Sequence, residues 1–355
     1  MKNKFKIFPY CVILIMFLVM RNSSDIISTV KSSLSLCFST VIPSIFPFMV
    51  LSGALVAVTT KDTFRYLEPL TKKLFGINSQ CITPIICGFL CGFPIGAKCT
   101  AELYRSRTIS QSEAESLVAF SNNPGPMFVI GVVGIGLFKS FKIGIFLYLV
   151  QLFSSLCSAV VLKNFTTHKA FVNSSYAERK KDFSSCVCDS IIGTLNICGF
   201  VMFFSVVTHL LSPLSAFMPE EVSSVIYCLA EITNGIYHLA SLNFSKAHKL
   251  ALASFTLAWS GFSVHMQVKS LISDTNLSLK KYYITKASSG VFSALVTYAL
   301  FGSRDNIILF AVNNRFMIFI ILFILCCYIL AGNSTINFNK KRNSFYAHRL
   351  KTNFS

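Results

Sequence analysis

Long apolar runs alternate with short polar intervals along the whole chain. YCVILIMFLVM (10–20), IGIFLYLVQLFSSLCSAVVL (143–162) and RFMIFIILFILCCYIL (315–330) hold no acid and at most one flanking base. A run near 20 apolar residues is long enough to cross a bilayer. The pattern predicts eight such spans, at about 6–22, 40–59, 112–138, 142–163, 187–212, 250–271, 284–302 and 308–331. Two further segments, 76–106 and 222–246, are apolar but interrupted. The first contains Gly88, Gly92, Pro94 and Gly96, and the second contains Glu231, Thr233, Asn234 and Gly235. Each either crosses the membrane or enters and turns back as a helical hairpin.

Charge chooses between these. If both segments turn back, 22 Lys and Arg fall on one side of the membrane and 8 on or beside the other. If both cross, the basic stretches 98–108 and 163–186 move to the poorer side. Cytoplasmic loops carry the excess of Lys and Arg. The expected fold is therefore an all-α polytopic membrane protein with two re-entrant hairpins and both termini cytoplasmic. Irregular backbone at membrane depth is tolerated only where protein buries it or water lines it, so two broken hairpins imply a cavity.

The composition agrees with this class. The 355 residues are 53% hydrophobic and 13% charged, with a mean hydropathy of +0.63. The net charge of +18 is explained by topology, and no nucleic-acid-binding motif accompanies it. The thirteen Cys lie mostly in apolar runs and form no CxxC pair, which suits packing as small hydrophobes. Residues 1–20 resemble a signal peptide, but RNSSD (21–25) offers no small-x-small cleavage site. An uncleaved first helix is expected.

The chain also repeats. LVAFSNNPGPMFVIGVVG (117–134) aligns with LASFTLAWSGFSVHMQV (252–268) at an offset of 135 residues, with Phe120 on Phe255 and Gly125 on Ser260. GFPIG (92–96) falls opposite EITNG (231–235). The predicted organisation is an N-terminal helix (1–24), a first repeat (25–165), a basic linker (166–186), a second repeat (187–303), and a last helix with a basic tail (304–355). The first repeat holds hairpin 76–106 and broken helix 112–138. The second holds hairpin 222–246 and broken helix 250–271. Three spans per repeat would turn the second copy upside down. Inverted repeats with broken helices place a secondary transporter's site at the repeat interface.

Candidate chemistry gathers at the breaks. In CGFLCGFPIGAK (87–98), Gly92, Pro94 and Gly96 end one half-helix and start another, whose free N–H groups favour anions. Lys98 lies one turn further and adds a cation. The alternative is a kinked, packed helix whose Lys98 snorkels to the surface. Ser121, Asn122, Asn123, Pro124 and Gly125 are unsuited to a continuous membrane helix and would offer amides and carbonyls to a ligand. Glu231, Thr233 and Asn234 mark the second tip. An ionisable residue inside a membrane is a functional candidate by default. Glu231 could take a proton, pair with Lys98 or hold a coupling cation. Thr256, Trp259 and Ser260 could line the same cavity, with Trp259 stacking on a planar ligand or sitting at the interface. No nucleophile–base pair, phosphate loop or metal cluster appears. The reading is not enzymatic, and neither cofactor nor metal is expected.

GFPIGAKCTAEL, EAESLVAFSNNPGPMFVIGVVG and SGFSVHMQV resemble the sporulation integral membrane proteins of the YlbJ type. These belong to the nucleoside-recognition (gate) domain group, distantly similar to concentrative nucleoside transporters. The resemblance covers about residues 25–303. It implies a concentrative-nucleoside-transporter-like fold and carriage of dipicolinic acid across the outer forespore membrane. The partners implied are a small planar dianion and the lipid bilayer, with the coupling ion and any homo-oligomer left open. A nucleoside or other small-metabolite carrier, or a non-transporting membrane gate or scaffold needed for sporulation, are the alternatives.

Overall fold

A computed structural model describes residues 4–60, 62–166, 182–215 and 217–301. The helix and tail expected over 304–355, and most of the linker 166–186, lie outside them. Among the described residues every regular element is helical.

Helix α1 (Lys4–Arg21) is followed by α2 (Ser23–Leu36), which runs through a π-helical turn (Cys37–Val41) into α3 (Ile42–Val58). The sequence expectation began this span at residue 40. In the fold one helical rod extends from Ser23 to Val58. The reason lies in the composition of SSDIISTVKSSLSL, whose Ser and Thr lower its hydropathy but do not break a helix. Several of these hydroxyls bond back to the preceding turn, as Thr29 does to the Asp25 carbonyl and Ser33 to that of Thr29.

Short helix α4 (Glu68–Phe75) stops at Gly76, whose φ of +65° suits glycine. The first interrupted segment is α5 (Ile82–Leu90) and α6 (Ile95–Arg105), packed against each other with Cys91–Pro94 between them. Helix α7 (Gln111–Ser121) begins with a capping box. The Ser110 hydroxyl accepts from the Glu113 N–H, and Glu113 Oε2 accepts from the Ser110 N–H at 3.0 Å. The other Glu113 oxygen accepts from the Asn78 N–H at 3.0 Å, tying this helix to the approach of the hairpin.

After α7 the chain unwinds over Asn122–Gly125 and resumes as a π-helix, Met127–Leu137. Proline causes this twice. Asn123 and Gly125 each precede a Pro and are pushed out of the α region, and neither Pro donates a backbone hydrogen bond. Helix α8 (Phe141–Leu162) closes the first half.

The second half repeats the order of elements. Helix α9 (Phe183–Ser215) precedes the pair α10 (Glu220–Ala230) and α11 (Ile232–Ser241), interrupted at Glu231. Helices α12 (Lys246–Trp259) and α13 (Gly261–Leu271) meet at Ser260, and α14 (Lys280–Phe301) follows. This second helix break is a tight kink, with φ of +76° at Ser260 and +77° at Gly261. Four helices, Ser23–Val58, Phe141–Leu162, Phe183–Pro213 and Lys280–Phe301, are long and apolar enough to cross a membrane, with shorter apolar helices beside them. The chain is a multi-pass membrane protein whose described elements are all helical.

The halves cross at the centre. Helix α7 packs on α14, while α12 packs on α8. Helices α8 and α14 run antiparallel, since Phe146 meets Phe301 and Phe153 meets Phe292. The rod α2–α3 lies antiparallel to α9, with Cys37 beside Cys198 and Met49 beside Thr194.

Candidate functional site

Each hairpin tip is seated in the break of the helix that follows it. On the first side the contact is backbone to backbone. A Cβ on Gly92 would lie 2.5 Å from the Gly125 nitrogen, and one on Gly125 would lie 3.0 Å from the Cys91 carbonyl oxygen. Gly88 and Gly96, on the two arms, enclose the Ser121 carbonyl. A Cβ would come within 1.7 Å of that oxygen from Gly88 and 2.5 Å from Gly96. Three glycines at four-residue spacing (88, 92, 96) therefore exist so that the end of α7 can lie directly on the hairpin. On the second side Gly261 meets the tip in the same way, its absent Cβ falling 3.0 Å from the Ile232 nitrogen and 3.2 Å from the Glu231 Cα.

Between the two tips lies a cleft with about 820 Å³ of empty space, open solvent included. Cys91, Phe93 and Gly125 border it from the first junction, Glu231, Ile232 and Thr233 from the second. Its wall is otherwise mostly apolar, and neither Lys nor Arg lines it. Glu231 is buried and caps α11, with Oε2 accepting from the Asn234 N–H at 2.7 Å.

Of the expected site residues only Gly125, Glu231 and Thr233 line this cleft, and the others lie outside its lining. Lys98 is buried, and its Nζ has no hydrogen-bond partner among the described residues. Of the three roles open to Glu231, the pairing with Lys98 is not formed in this conformation, and Glu231 caps its own helix. Asn122 is also fully buried, with neither amide atom partnered. Asn123 is saturated: it donates to the Phe120 carbonyl at 2.7 Å and to Ser155 at 2.9 Å, and accepts from Gln151 at 3.1 Å. The Ser121 hydroxyl bonds back to Leu117, and that of Thr256 to Leu252. Asn234 turns away from the cleft and donates to Ser205 at 3.0 Å. Trp259 does not border the cleft. Its Nε1 donates to the Leu229 carbonyl at 3.3 Å, and its ring meets His265 edge-on at 4.4 Å. It ties the second hairpin to α13. Ser260 is buried at the kink, and Pro94 opens α6.

Sequence reasoning passed over Lys286. This residue of α14 is buried, and its ammonium donates to the Asn122 carbonyl and, at 3.3 Å, to Asn123 Oδ1. A cation thus sits at the C-terminal end of α7, where orphan carbonyls and the helix dipole favour positive charge. The signal was a lone Lys inside an apolar run, in a span whose charge count considered only the loops.

A curated protein resembles the chain over three quarters of its length. The chain is 27% identical over 310 residues to the sporulation integral membrane protein YlbJ of Bacillus subtilis (strain 168), a match covering 76% of this chain and 76% of that protein. The chain is thus similar to that protein over most of its length. No protein-family model and no solved structure matches it. The paired tips, the paired breaks and the cleft between them form the candidate site.

The site is braced at one end by polar contacts between the halves. Arg105 at the end of α6 holds Asp274 through two hydrogen bonds, at 2.9 and 2.6 Å, and also donates to the Leu271 carbonyl. The guanidinium keeps the Asp274 carboxyl below the usual carboxylate range. Gln111 donates to the Asn276 carbonyl, and Glu115 accepts from the Ser278 N–H, both at 3.1 Å.

Proposed function

We propose that this protein is a secondary membrane carrier of a small organic anion, not an enzyme, and that dipicolinic acid crossing the outer forespore membrane during sporulation is its cargo. The observation that carries the carrier reading is the pair of tip-in-break junctions facing one cleft. Discontinuous helices around a central cavity are how secondary transporters offer backbone groups to a solute while keeping the membrane sealed. The matching order of elements in the two halves supports an inverted repeat, with the basic ends facing the cytoplasm.

An anionic cargo is supported by Lys98, buried on α6 without a partner among the described residues, though outside the cleft lining. A buried charge left without a partner is costly, and a carboxylate arriving within a turn of the Gly96–Ser121 contact would satisfy it together with the open amide of Asn122. Sporulation, named for the curated relative, fits a dicarboxylate stored in spores.

A neutral cargo such as a nucleoside is the second reading. Glu231 is the one carboxylate lining a cleft that Lys and Arg do not reach, which suits a proton- or cation-coupled neutral solute. Uptake of labelled dipicolinate into proteoliposomes, competed with nucleosides, separates the readings. Saturable dipicolinate uptake insensitive to nucleosides supports the first. Nucleoside uptake alone supports the second. Neither, in protein shown to be folded, would leave a membrane scaffold.

A further inference from the structure

We infer that solutes reach the central cleft through a hydroxyl-lined groove between α2, α9 and the second hairpin, and that Leu36 is the constriction between groove and cleft. The inference rests on the carrier reading for its purpose, but the path is argued from geometry alone.

A second, open cavity adjoins the first. Its walls come from α2, α9 and the α10–α11 pair, the same elements that close one side of the cleft. Leu36 lines both cavities. Along the first rod, Ser28, Ser32 and Leu36 are followed by Thr40, Ser44 and Phe48, so one face passes from groove to cleft. At 1.5 Å per residue that stripe is roughly 30 Å long, the thickness of a bilayer's hydrocarbon core. Antiparallel α9 makes the same passage in reverse, with Ser212, Thr208 and Ser205 in the groove and Val201 and Ile197 in the cleft. The second tip does so within one turn, since Thr233 faces the cleft and Asn234 the groove.

All three elements therefore pass from groove to cleft, and α9 changes from hydroxyl to aliphatic lining as it does so. Where they pass, the half-buried Leu36 lines both cavities and Asn234 bonds Ser205. Water and hydrogen-bonding solutes suit the groove, which also holds His209 and His238, and the His238 Nε2 is buried without a partner. An apolar side chain at a narrowing in a wet path acts by dewetting.

The rod also changes its winding at this point. The π-helical turn Cys37–Val41 begins at the residue after Leu36. Such turns inside α-helices recur at functional sites. Returning this turn to α-helical winding would rotate the segment before it, and Leu36 with it. At the other end of the molecule Arg105–Asp274 and its neighbouring contacts join the halves. The conformation is open to the groove and latched opposite it.

The test uses the full chain in nanodiscs, with a small, charged methanethiosulfonate and fragmentation mass spectrometry to locate the label. Thr29→Cys reports the groove and Thr40→Cys the cleft beyond Leu36. Thr29→Cys is expected to label at the same rate whatever stands at position 36. Thr40→Cys is expected to label about tenfold faster with Leu36→Ala, one decade in a barrier-limited rate, and slower with Leu36→Trp. Leu36→Trp should also block cargo uptake in proteoliposomes. An unchanged Thr40→Cys rate in both Leu36 variants, or normal uptake by Leu36→Trp, overturns the proposal. Leu36-dependent labelling in a protein that takes up no cargo sinks the carrier reading and leaves the path standing.

Discussion

Ser154 on α8 donates its hydroxyl to the backbone carbonyl of Ser289 on α14 at 3.1 Å, and the two residues lie 135 positions apart. That is the offset at which the two broken helices align in sequence. An inverted repeat would bring such counterparts together at its two-fold axis. Ser158 reinforces the junction by sharing a hydrogen bond with the Ser289 hydroxyl at 2.7 Å. The expected consequence is symmetry of damage. Ser154→Leu and Ser289→Leu should each lower thermal stability in detergent by a similar amount, about 1–3 kcal/mol from overpacking. Ser154→Ala should cost only about 0.5–1.5 kcal/mol, one neutral hydrogen bond. A large loss at one leucine variant and none at the other would remove the axis from this position.

The glycines of the first junction make a graded series. Gly88→Ala would place a methyl on the Ser121 carbonyl, a contact that can be relieved only by separating α7 from the hairpin. Gly96→Ala is slightly less crowded. Gly131, on the π-helix, has open space where its Cβ would be. Folded yield and melting temperature should therefore fall in the order Gly131→Ala, Gly96→Ala, Gly88→Ala. Uptake should be lost first in the Gly88 variant. Equal behaviour of Gly88→Ala and Gly131→Ala would mean that α7 does not rest on the hairpin.

The breaks were legible because their causes are local. Pro124 and Pro126 forbid a helix through Asn123–Gly125 whatever surrounds them, and Gly92 and Pro94 act the same way at the first tip. Helix α2 was not legible as part of a span. Its serines and threonines read as a polar loop, yet four of them face the groove and the rod stays helical through them. The role of Lys286 was hidden for a different reason. Its partners, Asn122 and Asn123, lie more than 160 residues away, and no spacing rule connects them. Trp259 looked available to a ligand because only the fold shows that its N–H and ring face are already engaged.

Lys286 should behave as a clamp on the first break. Lys286→Met keeps the stem but leaves the Asn122 carbonyl and one Asn123 contact unmet. The expected cost is about 1.5–3 kcal/mol, the worth of a hydrogen bond to a charged group. Asn123→Ala should cost a similar amount. The double variant should cost clearly less than the sum, because the two residues share one network. Strict additivity in a thermal-unfolding cycle would show that Lys286 does not act on Asn123.

Topology can be read from two exposed side chains on opposite sides of the charge split. Tyr66 lies in a basic interval and Phe217 follows α9, and both are well exposed at 75% and 89%. In intact cells an impermeant thiol label should reach Phe217→Cys and leave Tyr66→Cys untouched until the membrane is opened. Labelling of Tyr66→Cys from outside would reverse the assignment of the basic ends.

Lys98 and Glu231 should separate cargo binding from coupling. Nothing among the described residues holds the Lys98 ammonium, so its removal should spare the fold while weakening an anionic cargo. One charge-assisted hydrogen bond is worth about 1.5–3 kcal/mol, so Lys98→Ala should raise KM for dipicolinate about tenfold to a hundredfold. Lys98→Arg keeps the charge but changes its geometry and should fall between. Glu231→Gln keeps an oxygen to accept from the Asn234 N–H, so α11 remains capped and binding should persist. It removes the one carboxylate in the cleft, and with it the pH dependence of uptake. The measurement is uptake against concentration and pH for the three variants, with melting temperature alongside. An unchanged KM in Lys98→Ala with a fallen melting temperature would reassign Lys98 to packing, its stem covering apolar surface. An unchanged pH profile in Glu231→Gln would leave Glu231 as a helix cap alone.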